Sequence, residues 1–74
     1  MTQAQRRLLD EIRRQGGADE GGAEYWPVVN DWVRDAGRAK ALALRNINRT
    51  VEAVIKAGYA SIDEDGMFHL TERT

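Results

Sequence analysis

A chain of 74 residues has room for one modest core and excludes a second domain. Its 42% hydrophobic and 31% charged composition belongs to a folding chain and excludes a disordered one, while the absence of cysteine excludes disulfides and thiolate metal sites. The net charge of −1 gives no overall attraction to nucleic acid, and no apolar run approaches the roughly 20 residues of a membrane span.

The segment Met1-Thr2-Gln3-Ala4-Gln5-Arg6-Arg7 has no apolar signal core, so a cytoplasmic location with no membrane contact is expected. The small net charge conceals strong alternation along the chain. Residues 1–14 carry four arginines against Asp10 and Glu11, a balance of +2. Residues 15–36 carry Asp19, Glu20, Glu24, Asp31 and Asp35 against Arg34, a balance of −4. Residues 37–58 carry Arg38, Lys40, Arg45, Arg49 and Lys56 against Glu52, a balance of +4. Residues 59–74 carry Asp63, Glu64, Asp65 and Glu72 against Arg73, a balance of −3. One stretch is therefore distinctly basic.

Thr2-Gln3-Ala4-Gln5 has the spacing of a capping box and predicts a helix over about residues 2–15. Ala4, Leu8, Leu9 and Ile12 form its apolar stripe, and Gly16-Gly17 stops it. Residues 16–23 contain four glycines and no large apolar side chain, so a surface loop that buries nothing is expected. These glycines lack the Lys-Ser/Thr ending of a phosphate-binding loop.

Aromatics and the residue preceding Pro27 predict a short extended segment near 24–26, because a residue before proline is pushed out of the helical region. Pro27 suits the first position of a second helix over about 27–36, with Val28, Val29, Trp32 and Val33 inward and Gly37 as a stop. Leu44, Ile47, Val51, Val54 and Gly58 then step by three and four, predicting a third helix over about 44–57. Leu42 falls off that stripe, so residues 38–43 read as a turn or kinked first coil. The remainder alternates around Asp65-Gly66 and predicts a two-stranded hairpin over about 59–71, with Phe68 and Leu70 on one face.

Three places resemble the winged helix-turn-helix domains of bacterial transcription regulators, in the broad sense that includes MarR-like families. Thr2 to Leu9 is similar to their first-helix opening, Arg45 to Tyr59 to their recognition helix entering the wing, and Asp65 to Arg73 to their second wing strand. The resemblance implies an α+β fold of three helices with a C-terminal wing, and duplex DNA as partner for a small regulator or mobile-element accessory factor of bacterial or phage origin. Two features depart from the pattern: the glycine-rich loop is long, and residues 37–43 lack the usual Ser or Thr cap.

Duplex recognition needs cations for phosphates and paired donors or acceptors for base edges on one helix face. With the aliphatic stripe inward, Arg45, Arg49, Ala53 and Lys56 lie opposite it and Asn46, Asn48 and Thr50 flank them. Arg pairs with guanine and Asn with adenine, so Arg45, Asn46 and Arg49 lead as base-edge candidates, with Asn48 and Thr50 beside them. Arg38 and Lys40 suit phosphates just ahead of the helix. The same cations also fit a solvated helix face tied by Arg49–Glu52 and Glu52–Lys56 pairs.

The Asp63-Glu64-Asp65 tip would be repelled by phosphate, so the wing is expected to stay off the DNA backbone. The rival reading is a protein-interaction module that uses this acidic tip or the Tyr25/Trp26 segment for a partner or for self-association. His69 has no second His or Cys with which to share a metal and reads as a surface residue. No nucleophile and base fall together at a water-excluding site, so neither catalysis nor a cofactor is expected.

Overall fold

A computed structural model describes residues 1–35 and 40–72, the side chains of residues 40–44 excepted. The element order is α1 (Gln3–Arg14), β1 (Ala23–Glu24), α2 (Tyr25–Asp35), α3 (Lys40–Lys56), β2 (Ala60–Ile62) and β3 (Met67–Leu70). The fold is α+β, with three helices against a three-stranded antiparallel sheet in the order β1-β3-β2.

Local chemistry sets the ends of α1. The Thr2 hydroxyl accepts from the Gln5 amide at 3.1 Å while the Thr2 amide donates to the Gln5 side chain at 3.2 Å, closing the capping box. At the other end the Gly17 amide donates to the Ile12 carbonyl and the Gly16 amide to the Arg13 carbonyl. The same pair of bonds closes α3, from Tyr59 to Val54 and from Gly58 to Ile55. Both helices therefore end in Schellman motifs that satisfy their last carbonyls.

The core gathers Leu8, Leu9 and Ile12 of α1, Val28, Val29, Trp32 and Val33 of α2, Val51 and Val54 of α3, and Ala23, Ala60 and Phe68 of the sheet. Each large aliphatic chain buried in this way removes from water an area worth about 1.5–3 kcal/mol. α1 packs on both other helices and on β3, which makes it the central element.

Four expectations are corrected. The wing is not two-stranded: β1 joins it, Ala23 opposite Phe68 and Glu24 opposite Met67, a pairing across more than 40 residues that no local pattern signals. Residues 25 and 26 are helical, with the strand ending at Glu24. Pro27 sits in the third position of α2, where a missing amide costs nothing because first-turn amides have no helical acceptor.

The glycine-rich loop is packed at its ends, at Gly17 and Ala23, while residues 18–21 are exposed. Gly17 is buried, its carbonyl accepts from the Leu70 amide at 2.8 Å, and an added Cβ would lie 2.2 Å from the Ile12 methyl Cγ2. Only a residue without a side chain allows the loop to lie against α1 there. Lastly, α3 begins at Lys40, earlier than the predicted residue 44, in keeping with the high helix propensity of Lys-Ala-Leu-Ala-Leu.

The hairpin turn follows its residues closely. Asp63 and Met67 close a three-residue loop, the Gly66 amide donates to the Asp63 carbonyl, and Gly66 takes φ +80°, the left-handed geometry of a type I turn with a bulge. β2 pairs with β3 through Ala60↔Leu70, Ser61↔His69 and Ile62↔Phe68.

Candidate nucleic-acid interface

The third helix presents a clear division between its sides. Val51 and Val54 are buried and Ile47 and Ile55 pack against the core, while Arg45, Asn48, Arg49, Glu52 and Lys56 are exposed. Arg45 and Arg49 are one turn apart on the outer face, about 6 Å along the axis. Among the described residues neither forms an ion pair, and neither does Lys56. The intrahelical pairs Arg49–Glu52 and Glu52–Lys56 are not closed, so no carboxylate among the described residues holds these cations.

The other sequence candidates divide. Asn46 is half-buried and Asn48 exposed, so both flank the cationic row. Thr50 is 7% exposed and sits on the inner side, away from the exposed row of Arg45 and Arg49. Its position on the wheel beside Val51 and Val54 explains this correction. Arg38 and the Lys40 side chain lie outside the described residues.

Charge is handled differently where α1 meets α2. Glu11 is buried, and its carboxylate accepts from both Nε and a terminal nitrogen of Arg14 and from Gln15 Nε2 at 3.1 Å. Gln15 Nε2 also donates to Asp31 at 2.9 Å and to the Pro27 carbonyl at 3.1 Å, and Arg34 holds Asp31 at 3.0 Å. The Arg14 hydrogen bond holds the Glu11 carboxyl below its ordinary value; burial opposes that shift and Gln15 assists it. Sequence reading missed Glu11, although Glu11 and Gln15 at helical spacing on the α2-facing side of α1 were a usable signal.

At the wing tip, Asp63 Oδ1 accepts from the Asp65 and Met67 amides at 2.9 and 3.0 Å, and Oδ2 lies 2.7 Å from His69 Nε2. The Met67 amide first, then the His69 ring, holds the Asp63 carboxyl below its ordinary value. Asp63 is thus committed to the turn, whereas Glu64 and Asp65 are exposed.

Comparison with family models, curated proteins and solved structures finds no match to this chain. Function must therefore be argued from the residues themselves. No helix among the described residues is long and apolar enough to cross a membrane, and no group of three or more potential metal ligands is gathered there.

Proposed function

We propose that this chain binds duplex DNA by laying the outer face of α3 in the major groove, as a small winged-helix regulator or accessory factor. The observation that carries this reading is the pair Arg45 and Arg49: both exposed, one turn apart, and unclaimed by any carboxylate among the described residues. An α-helix fits the groove, Arg forks onto guanine, and Asn48 and the edge of Asn46 lie where an adenine contact would be made. Lys56, exposed about 10 Å further along the axis, would meet a phosphate in this reading. The succession of helix, strand, two helices and hairpin, with β1 added to the outer edge of β3, favours the winged-helix reading. The exposed Glu64 and Asp65 argue that the wing stays clear of the DNA backbone.

The test is selection from a random duplex pool, followed by titration of the recovered sequence between about 50 and 200 mM salt. Affinity is expected to fall steeply with salt, and each lost phosphate contact should flatten the log–log slope by about 0.9. Failure to enrich any sequence at low salt would remove the reading.

A further inference from the structure

The wing tip and the start of α2, 40 residues apart in the chain, form two walls of one concavity. Glu24, Tyr25, Trp26 and Pro27 line one wall and Asp65, Gly66 and Met67 the other, around an open volume of about 360 Å³. Trp26 is 68% exposed, a large departure from the usual fate of tryptophan. Its ring stands edge-on to Tyr25 at 5.1 Å, and Tyr25 stacks at 5.2 Å on the fully buried Phe68. On the same walls, Glu24 and Asp65 are exposed and their carboxylates have no hydrogen-bond or ion-pair partner among the described residues.

An exposed aromatic face flanked by two free carboxylates is the chemistry that recognises a cation on a flat side chain. We infer that this concavity docks an arginine-bearing basic segment of a partner protein, with the guanidinium laid on Trp26 and its N–H groups donating to Glu24 and Asp65. Arginine suits this better than lysine, because its plane can stack on the indole while its edge forks onto a carboxylate. The concavity is too open to enclose a small molecule, but it accepts a side chain delivered by a peptide. Packing Tyr25 against the core in advance lowers the ordering cost of binding. No residue of this site lies in α3, so the inference stands apart from DNA binding.

The probe is a fluorescein-labelled nonapeptide of alternating Gly and Arg, titrated with the full chain and read by anisotropy beside its Lys and Glu counterparts. Saturable binding in the order Arg, then Lys, with none for Glu, is expected. Trp26→Ala should weaken the Arg peptide about tenfold, Trp26→Phe less, and Glu24→Gln/Asp65→Asn by several fold, while Glu72→Gln outside the site leaves it unchanged. Because Trp26 is mostly outside the core, these variants should melt like the wild type. Equal binding by Trp26→Ala or Glu24→Gln/Asp65→Asn and the wild type, or no saturation by about 1 mM peptide, would overturn the inference. Self-association of the chain alone that Trp26→Ala abolishes would overturn it too, by assigning the site to a second copy.

Discussion

Arg14 and Arg34 at the α1–α2 seam and Arg45 and Arg49 on α3 are all exposed arginines of surface helices, but their surroundings differ. Arg14 reaches Glu11 and Asp31, and Arg34 reaches Asp31 and Asp35, so the seam cations are matched by carboxylates. On α3 the one acidic residue, Glu52, is exposed and pairs with neither neighbour. Arg6 and Arg7 at the start of α1 are also exposed without ion pairs, so lack of a partner alone does not mark a site. What α3 adds is a pair of asparagines, Asn46 and Asn48, one on each flank of its unpaired arginines, where α1 offers the exposed Gln3 alone beside Arg6 and Arg7. Seam charge is matched within the fold, and the α3 arginines have no carboxylate partner among the described residues.

The largest expected effect breaks the comparison at its functional end. A good bidentate base contact is worth about 1–3 kcal/mol, so Arg45→Ala/Arg49→Ala should weaken binding to the selected duplex by about 100-fold or more. Melting should shift by no more than a few degrees, as for most surface substitutions. Equal affinity of variant and wild type, measured by anisotropy at low salt, would return these arginines to the role of solvated surface.

Changing the seam should do the opposite. Glu11→Ala removes a buried carboxylate that accepts from Arg14 and Gln15, at a cost of about 1–2 kcal/mol after allowing for the exposure of Arg14. That corresponds to a melting decrease of roughly 4–16 °C for a domain this small, with DNA affinity at 25 °C unchanged. The pH dependence has a definite sign. Glu11 and Asp63 both have folded-state carboxyls below their ordinary values, so their contribution is present above the unfolded-state value and is lost as pH falls through the folded one. Acid melting curves should therefore show a smaller decline between about pH 5 and 3 for Glu11→Ala than for the wild type.

Much of the architecture could be read locally. The Thr2–Gln5 box, the Gly16 and Gly58 stops, the Val51/Val54 stripe and the Asp65-Gly66 turn each express their geometry within one or two turns of chain. What escaped reading depends on distant partners. Ala23 becomes a strand residue only because Phe68 lies beside it, and Gly17 becomes a buried residue only because Leu70 and Ile12 close over it. The Tyr25/Trp26 segment and the acidic tip were each named as candidate partner surfaces, but the exposure of Trp26 and its meeting with the tip in one concavity depend on β1 pairing with β3. The outer face of α3 was legible except for Thr50, which the wheel placed at the margin and packing drew inward.

A finer test within α3 concerns Glu52. If Arg49 and Lys56 face phosphate and base edges, an exposed carboxylate between them repels the duplex, and Glu52→Gln should tighten binding about two- to fivefold at low salt. The effect should fade as salt rises, because screening removes an exposed charge from consideration beyond about 10 Å at 0.1 M. Looser binding by this variant would mean that Glu52 positions the arginines.

The smallest expected effect locates the boundary of the face. Thr50 is only 7% exposed, so Thr50→Val removes a hydroxyl that lies away from the exposed row while keeping nearly the same shape. Affinity should stay within about twofold of the wild type, since no base or phosphate contact is lost. Asn48→Ala, two residues earlier and exposed, serves as the matched control and should cost about 1–3 kcal/mol if it reads an adenine. A loss at Thr50 equal to that at Asn48 would mean that α3 meets its target along a different face, because a buried and an exposed position on the same helix cannot both lie against one groove.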